Sequence, residues 1–264
     1  MFQNNMISNL HIYRRMADGI IQNYCIFNKK MPGRLYLIPN TLGSQDPGLF
    51  LPAALHSQIT GLRCFVVENT RNARRYLKLI DRSVAIDGIQ FFELNKHTSA
   101  EEISSFITPL LDGQDMGLIS EAGLPGIADP GALLVRKAHE YKIPVIPFTG
   151  PSSITLALMA SGLNGQCFRF QGYLPVKSRE RIQAIKKLEQ LAIQHDETQI
   201  FIETPYRNNA LLEDLLTSCN AETYLCIARD LTTESEFIQT KSIQSWKKKK
   251  PELHKRPAIF LLGK

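Results

Sequence analysis

Three short stretches of this sequence combine glycine and proline with side chains that could bind a ligand. They span residues 39–48 (PNTLGSQDPG), 120–131 (SEAGLPGIADPG) and 203–207 (ETPYR). Glycines in the first two stretches permit positive φ angles and close approach of a ligand to the backbone. Neither stretch is a GxGxxG or Walker loop. The backbone pattern alone therefore fits a polar ligand or an ordinary surface turn.

Polar side chains within these stretches suggest particular contacts. Glu121 or Asp129 could meet a cationic or hydroxyl-bearing group. Asp129 precedes Pro130, however, and could equally be only the N-cap of a helix. Tyr206 and Arg207 offer stacking and anion binding. A proline turn that opens a helix is the alternative for that stretch.

Strands and helices must position these stretches, and they alternate over the first half of the chain. Short apolar runs predict strands at 34–38, 63–68, 89–94, 116–120 and 144–148. Helical spacing predicts helices at 49–59, at 70–80 with Thr70 as its cap, from Thr98 or Ser99 to about 111, and at 130–141. This alternation is typical of an α/β domain with a mostly parallel sheet. Ligands bind such sheets beyond the carboxyl ends of the strands.

The second half changes character near Gly150 and Pro151. Helices are predicted at 151–162, about 178–194 and around 208–218, and strands at 168–174, 199–203, 223–228, 236–240 and 258–263. Late strands with short connections favour a mixed or antiparallel sheet. We therefore predict an α/β fold with domains at 32–150 and 151–264. Residues 1–31 are expected to be an N-terminal extension with Met31 as the natural start, an organelle-targeting peptide being the alternative.

The composition limits the classes of protein to which this chain could belong. The chain has 264 residues, 44% of them hydrophobic, and no apolar run approaches the length of a membrane span. The formal charge of +6 permits an RNA partner, although solvated surface lysines give the same balance. The five cysteines are scattered, odd in number and without a CxxC pair. We therefore expect no metal site, no disulfide framework, no membrane association and a cytoplasmic location.

The stretch SEAGLPGIADPG resembles the S-D-A-G-x-P-x-I-S-D-P-G signature of the ribosomal RNA small-subunit methyltransferase I family. That family belongs to the tetrapyrrole-methylase-like, class III enzymes that use S-adenosyl-L-methionine (SAM). Six further segments resemble family motifs in the same order, from about residue 32 to the end of the chain. They read PGRLYLIPNTLGS, ENTR, VIPFTGPSSITLALMASGL, FQGYLPVKSRER, FIETPYR and ARDLTTESEF.

The resemblance implies two α/β domains with SAM in the cleft between them, a homodimer, and 2′-O-methylation of a ribose in small-subunit ribosomal RNA. By position, the SAM pocket would comprise Thr41, Gly43, Ser120, Glu121, Ala122, Gly123, Ser152, Ser153, Tyr173, Leu174, Thr204, Pro257 and Ala258. The position of Gly123 is expected to require a small residue. Gly123→Arg would then abolish SAM binding without unfolding the protein.

The sequence departs from the family pattern at several positions. Glu68-Asn69 stands where the family has Glu-Asp, and Glu121 stands where it has Asp. Tyr206 replaces His, and Thr233 replaces a usual Lys. The first loop reads P-N-T-L-G-S where the family has A-T-P-I-G-N. These substitutions bear on the acceptor more than on the cofactor.

Methyl transfer from a sulfonium is an in-line displacement, so the enzyme must align acceptor, methyl group and sulfur. A ribose hydroxyl is a weak nucleophile, and a base would activate it. Glu68 and Lys177 are the candidate bases, with a surface salt bridge as the alternative for each. RNA phosphates would contact a basic set of residues. This set comprises Arg71, Arg74, Arg75, Lys177, Arg179, Arg181, Lys186, Lys187 and Arg207, although a solvated helix face explains Lys186 and Lys187 equally well.

Three other functions stay open on the sequence. The chain could methylate a small tetrapyrrole, which would use the same fold with a different acceptor. It could be a dinucleotide oxidoreductase, which the missing GxGxxG pattern disfavours. It could also be a non-catalytic RNA-binding relative that has lost activity through the substitutions above.

Overall fold

The computed structural model describes residues 31–95 and 97–264. The predicted N-terminal extension therefore lies outside the described residues, except for Met31. Within the described part, no helix is long and apolar enough to cross a membrane. The same residues contain no group of three or more His, Cys, Asp or Glu side chains arranged to hold a metal ion.

The first half forms a five-stranded parallel sheet. Its strands are β1 (Leu35–Ile38), β2 (Cys64–Val67), β3 (Gln90–Glu93), β4 (Met116–Ile119) and β5 (Val145–Pro147), in the order β3-β2-β4-β1-β5. The central strands β2 and β4 are buried throughout, as their uninterrupted apolar sequences CFVV and MGLI require between two covering layers. All five strands were predicted from such runs, and the predicted parallel pairing is confirmed.

The helices of this half are α1 (His56–Gly61), α2 (Thr70–Ile80), α3 (Ala100–Phe106), α4 (Thr108–Leu111) and α5 (Gly131–Glu140). The single helix predicted at 49–59 is wrong: two 3₁₀ turns at Pro47–Leu49 and Ala53–Leu55 precede α1. Pro52 explains the break, because proline lacks an N–H and disfavours helical conformation in the residue before it. The helix predicted to run to 111 likewise divides into α3 and α4, the second with a proline in its first turn.

Helix caps in this half differ partly from prediction. Thr70 was predicted to cap α2, but Asn69 does so, and its side chain accepts a hydrogen bond from the N–H of Asn72. Ser99 caps α3 in a reciprocal capping box with Glu102. Both helices therefore begin where short polar side chains satisfy otherwise unpaired N–H groups.

The second half forms a mixed sheet, as predicted. Its strands are β6 (Phe168–Tyr173), β7 (Thr198–Ile202), β8 (Tyr224–Arg229), β9 (Phe237–Ser242) and β10 (Ala258–Gly263), in the order β6-β7-β10-β8-β9. Strands β6 and β7 are parallel, and the other pairs are antiparallel. Its helices are α6 (Ser153–Ser161), α7 (Ser178–His195), α8 (Asn208–Ser218) and α9 (Ile243–Lys248). Helix α9 was not predicted, because it is short and runs into the lysine cluster.

The second sheet buries most of its large side chains under α7, α8 and α9. Phe201 and Phe260 stack with ring centroids 6.0 Å apart. Trp246 of α9 is buried, and its indole N–H donates to the carbonyl of Leu225 at 2.8 Å. On the opposite face, α6 covers Ile200 and Cys226. The expected burial of Cys64 and Cys226 is confirmed.

The two halves meet at the carboxyl edge of the first sheet. Leu42, in the loop after β1, packs against the apolar cluster between α6 and the second sheet. Gly43 lies so close to Thr233 that a Cβ on the glycine would be 2.7 Å from the threonine Cγ2. The loops predicted to bind a ligand therefore face the second half of the chain.

Arg181 of α7 has a structural role that the sequence did not reveal. It was assigned to the RNA-binding set, but its side chain is only 4% exposed and lies 2.6 Å from Asp214 of α8. Its Nη1 also donates to the carbonyl of Val176. A buried guanidinium with these partners joins α7 to α8 and is not accessible to phosphate.

We predict that Arg181→Leu lowers the free energy of unfolding by about 3 kcal/mol, because it leaves the carboxylate of Asp214 buried without its partner. Arg179→Leu removes an exposed arginine two residues away and should change stability by less than about 0.5 kcal/mol. Urea denaturation of both variants measures the difference. Equal stabilities would show that the Arg181–Asp214 pair does not hold the two helices together.

Candidate functional site

Two adjoining cavities lie between the halves of the molecule. Their volumes are about 300 and 280 Å³. Both are lined by Leu42, Ala122, Ser153, Tyr173 and Ile202. The first sheet contributes the loops beyond the carboxyl ends of β1 and β4, which is where open α/β sheets bind ligands. We call the two cavities together the cleft.

The loop after β4 forms one wall of the cleft and has an unusual backbone. Gly123 and Gly126 have φ angles of +68° and +83°, and Ala128 has a φ of +62°. Glycine adopts such angles without steric cost, which explains why the loop is rich in glycine. Ala122, directly before Gly123, is exposed and lines both cavities.

Asn40 holds this loop against the end of β1. Its Nδ2 donates to the carbonyls of Ser120 at 2.8 Å and Glu121 at 3.1 Å. Its backbone N–H donates to the carbonyl of Gly123 at 2.8 Å. Asn40 is 7% exposed and was not selected from the sequence. Its position directly after a fully apolar strand was the available signal.

Asp129 closes the other end of the loop. Its Oδ1 accepts from the N–H groups of Gly126 at 2.8 Å and of Gly131, the first residue of α5, at 2.7 Å, although the N-cap position itself is occupied by Pro130. Its Oδ2 is buried without a hydrogen-bond partner, and the residue lines the second cavity. Burial raises the pKa of Asp129, while the two N–H donors oppose that rise.

Glu68 connects the end of β2 to the same loop. Its Oε1 accepts from the N–H of Glu121 at 3.0 Å, and Glu68 lines the second cavity. The side chain of Glu121 turns towards α2, where its Oε2 accepts from Nδ2 of Asn72 at 2.5 Å. The carboxylate of Glu68 and the side-chain amide of Asn72, near the start of α2, thus fix one loop from two sides.

The loop after β1 presents a different residue from those predicted. Thr41 uses its hydroxyl within the loop, donating to the carbonyl of Ser44 and accepting from the N–H of Gly43. Thr41 does not line the cleft, and Gly43 lines a separate cavity together with residues 232–235. The intervening Leu42 is the residue that faces the cleft. Nothing in its apolar side chain distinguished it from core in the sequence.

The second half supplies the far wall. Ser152, Ser153, Tyr173, Pro257 and Ala258 line the cleft, as the resemblance implied. Leu174 is instead buried in the core under α7, and Thr204 does not line either cavity. Sequence reasoning did not select several mostly apolar residues that complete this wall. These are Ile202, Glu203, Pro205, Ala228, Leu231 and Ile259.

Glu203 is the charged residue of this wall. It is buried, and its Oε1 accepts from the N–H of Thr204 and from Nη2 of Arg207, both at 2.6 Å. Its Oε2 is buried without a hydrogen-bond partner, and the residue lines the first cavity. The hydrogen bond that Arg207 donates to Glu203 raises the pKa of Arg207. Arg207 is therefore paired with an internal carboxylate, while its side chain stays partly exposed.

The remaining predicted residues lie outside the cleft. The side chain of Lys177 is 80% exposed and lies 3.5 Å from Glu180. Arg179 is exposed near the start of α7. Arg71 and Arg74 are exposed on α2, and the guanidinium of Arg74 lies over the ring of Phe91. Of the two candidate bases, only Glu68 is within the cleft.

Comparison with known proteins identifies two kinds of relative. No protein-family model matches the chain. The ribosomal RNA small subunit methyltransferase I of Streptococcus pyogenes is 34% identical over 216 residues, which cover 82% of this chain and 71% of the relative. The protein of the same name from Vibrio cholerae is 32% identical over 215 residues, covering 80% and 70%.

Solved structures share the fold at much lower identity. The methyltransferase CobJ superposes with a TM-score of 0.57 at 15% identity and covers 88% of this chain and 94% of its own. Uroporphyrin III C-methyl transferase from Thermus thermophilus has a TM-score of 0.54 at 16% identity, covering 88% and 98%. A structure of the Thermus enzyme complexed with S-adenyl homocysteine has a TM-score of 0.52 at 18% identity, also covering 88% and 98%. The predicted two-part α/β architecture is thereby confirmed as tetrapyrrole-methylase-like.

We predict that Asp129 makes stability depend on pH. Because its pKa is raised in the fold, the folded state holds the proton more tightly than the unfolded state. Its contribution to stability is then complete below the ordinary pKa of about 3.9 and is lost as pH rises through the raised value. Relative to Asp129→Asn, which keeps an acceptor for both N–H groups, the wild type should lose stability as pH rises from about 4 to 8.

Urea denaturation across that pH range measures the effect. The exposed Asp87→Asn substitution is the control for removal of one negative charge from the same half. A difference between wild type and Asp129→Asn that stays constant with pH would contradict the prediction.

Proposed function

Because this chain belongs to the ribosomal RNA small subunit methyltransferase I family and is therefore a SAM-dependent methyltransferase, we propose that it methylates the 2′-hydroxyl of a ribose in small-subunit ribosomal RNA. The observation that carries the proposal is the cleft itself. A loop with three positive φ angles faces an apolar wall from the second half, at the carboxyl edge of a parallel sheet. The relatives are named as ribosomal RNA methyltransferases, and this supplies the class of acceptor.

The residues of the cleft fit SAM in size, polarity and charge. Ile202, Ala228 and Ile259 offer apolar surface suited to an adenine ring. Glu68, Glu121 and Ser153 line the second cavity, and their carboxylate and hydroxyl oxygens could accept from the ribose hydroxyls and ammonium group of SAM, which are donors. When bound, SAM supplies an electrophilic methyl group on a sulfonium.

We propose that the predicted pocket residues act in two ways. Ser120, Glu121, Ala122, Gly123, Ser152, Ser153, Tyr173, Pro257 and Ala258 line the cleft and would contact the cofactor. Thr41, Gly43, Leu174 and Thr204 would act indirectly. Thr41 and Gly43 order the loop that presents Leu42, and Thr204 adjoins Glu203 and donates its N–H to that carboxylate.

Glu68 is the better-placed candidate for the base that accepts the ribose proton. It lies in the cleft, and its Oε1 is oriented by the N–H of Glu121. Lys177 is largely solvated and ion-paired, so a role in contacting an RNA phosphate suits it better. Arg71, Arg74 and Arg179 are exposed cations that would contact RNA in the same way.

We also propose a homodimer in the cytoplasm. Met159 of α6 is 79% exposed and Phe168 of the edge strand β6 is 44% exposed, and apolar surface of this kind favours association. A tetrapyrrole acceptor gains no support from the solved structures, because identities of 15–18% indicate a common fold alone. If this chain were a non-catalytic relative, it would bind RNA without binding SAM.

Calorimetric titration with SAM, using NAD as the control ligand, tests the cofactor. We predict that Ala122→Arg abolishes SAM binding, because its side chain would fill the point that both cavities share. Ala122 suits this test better than Gly123, where a φ of +68° would strain any side chain and a Cβ would lie 3.3 Å from Leu42. Ala85→Arg adds the same charge at an exposed position of the same half and should bind SAM normally.

Both variants should retain cooperative thermal unfolding. Normal SAM affinity in a folded Ala122→Arg protein would show that SAM does not bind in this cleft.

We predict that Glu68→Gln lowers kcat for RNA methylation by about a hundredfold or more, while SAM affinity changes little. The amide keeps an acceptor for the N–H of Glu121 but cannot take a proton at neutral pH. Lys177→Gln should retain kcat and raise KM for RNA. Steady-state methylation of small-subunit ribosomal RNA and of assembled small subunits distinguishes the two. Loss of kcat in the lysine variant alone would assign the base to Lys177.

A further inference from the structure

Helix α2 carries positive charge along the whole of its exposed face. Its side chains Ala73, Tyr76, Leu77 and Ile80 are buried against the first sheet. Arg71, Arg74, Arg75 and Lys78 are exposed, and we call these four residues the basic ridge. At about 100° per residue they fall within one third of the helix circumference, directly opposite the buried stripe.

No acidic residue occurs between Thr70 and Ile80 to offset this charge. Among the salt bridges of the described residues, none involves a side chain of the ridge. Lys78 donates to the carbonyl of Arg82. Arg82 is itself exposed, so a further cation lies at the carboxyl end of the helix. Lys177 and Lys250 on other surfaces each have a carboxylate partner, whereas exposed Lys186 and Lys187 of α7, like the ridge, have none among these salt bridges.

The ridge is connected to the cleft at the amino end of α2. Glu68 lies three residues before Arg71, and Asn72 donates to Glu121 of the loop after β4 at 2.5 Å. From Arg71 the ridge extends about 10 Å along the helix, at 1.5 Å per residue. A chain of phosphates lying on this face would therefore end beside the candidate base.

We propose that the basic ridge binds the RNA backbone next to the target nucleotide and directs its ribose towards Glu68. This inference rests on the proposed function and adds to it the surface that receives the acceptor. Three of the four ridge residues are arginines, whose planar guanidinium groups bind phosphate oxygens in pairs. The packing of the ridge on α2 keeps it in place before RNA arrives.

The test compares two double variants of equal charge change. Arg75→Gln with Lys78→Gln removes two positive charges from the ridge and leaves Arg71, which adjoins the cleft, in place. Arg136→Gln with Lys142→Gln removes one arginine and one lysine, both exposed, from α5 and the residues that follow it. Binding of small-subunit ribosomal RNA is measured by filter retention across a series of salt concentrations, and SAM affinity is measured by calorimetry.

We expect the ridge variant to bind RNA at least tenfold more weakly and to reduce the slope of log affinity against log salt by about 1 to 2. Its SAM affinity and thermal stability should be unchanged, because the substituted side chains are exposed. The α5 variant should retain RNA affinity within a factor of about two. Equal losses in both variants, or no loss in the ridge variant, would overturn the inference.

Failure of the proposed function would give a different result. In that case the wild type itself would neither bind nor methylate ribosomal RNA while still binding SAM. If wild type binds and methylates the RNA and the ridge variant does so equally well, only the ridge is excluded.

Discussion

The cleft depends on the parallel pairing of β1 with β4 and on the asparagine that follows β1. Pairing of Leu35–Ile38 with Met116–Ile119 brings the carboxyl ends of two distant strands side by side. Asn40 then donates three hydrogen bonds to the loop after β4, and Tyr76 of α2 donates to the carbonyl of Pro39. These bonds hold a loop with three positive φ angles against the sheet. The wall of the cleft that the first half supplies depends on them.

The strands could be predicted from the sequence because each buried strand is a short apolar run between turn residues. The cleft could be predicted only in part. Glycine and proline identified the loop after β4, but Leu42 and Ile202 have the same apolar character as residues of the core. Only the tertiary structure distinguishes these two residues from the core, because each lines a cavity only where the two halves of the chain meet. Arg181 shows the same limit for charge, because burial between α7 and α8 is invisible in a basic helix sequence.

Two carboxylate oxygens in the cleft remain without partners inside the protein. Oδ2 of Asp129 and Oε2 of Glu203 are both buried, and an unpaired buried polar atom costs about 1–3 kcal/mol. Each belongs to a carboxylate whose other oxygen is fully used, Oδ1 by two N–H groups and Oε1 by an N–H and a guanidinium. The side chains are therefore fixed in orientation, and the second oxygen of each is enclosed by protein. A ligand in the cleft would contact either oxygen only after neighbouring groups moved.

Two groups of arginines lie in different surroundings in the described part of the chain. Arg181 and Arg207 turn inward to carboxylates and stabilise the second half. Arg71 and Arg75 lie on the solvent face of α2, which contains no acidic residue that could neutralise them. Because α2 is joined to the loop after β4 through Asn72 and Glu121, the exposed charge has a constant position relative to the cleft. Cofactor and acceptor would thus be bound by separate sets of residues that one short helix keeps in register.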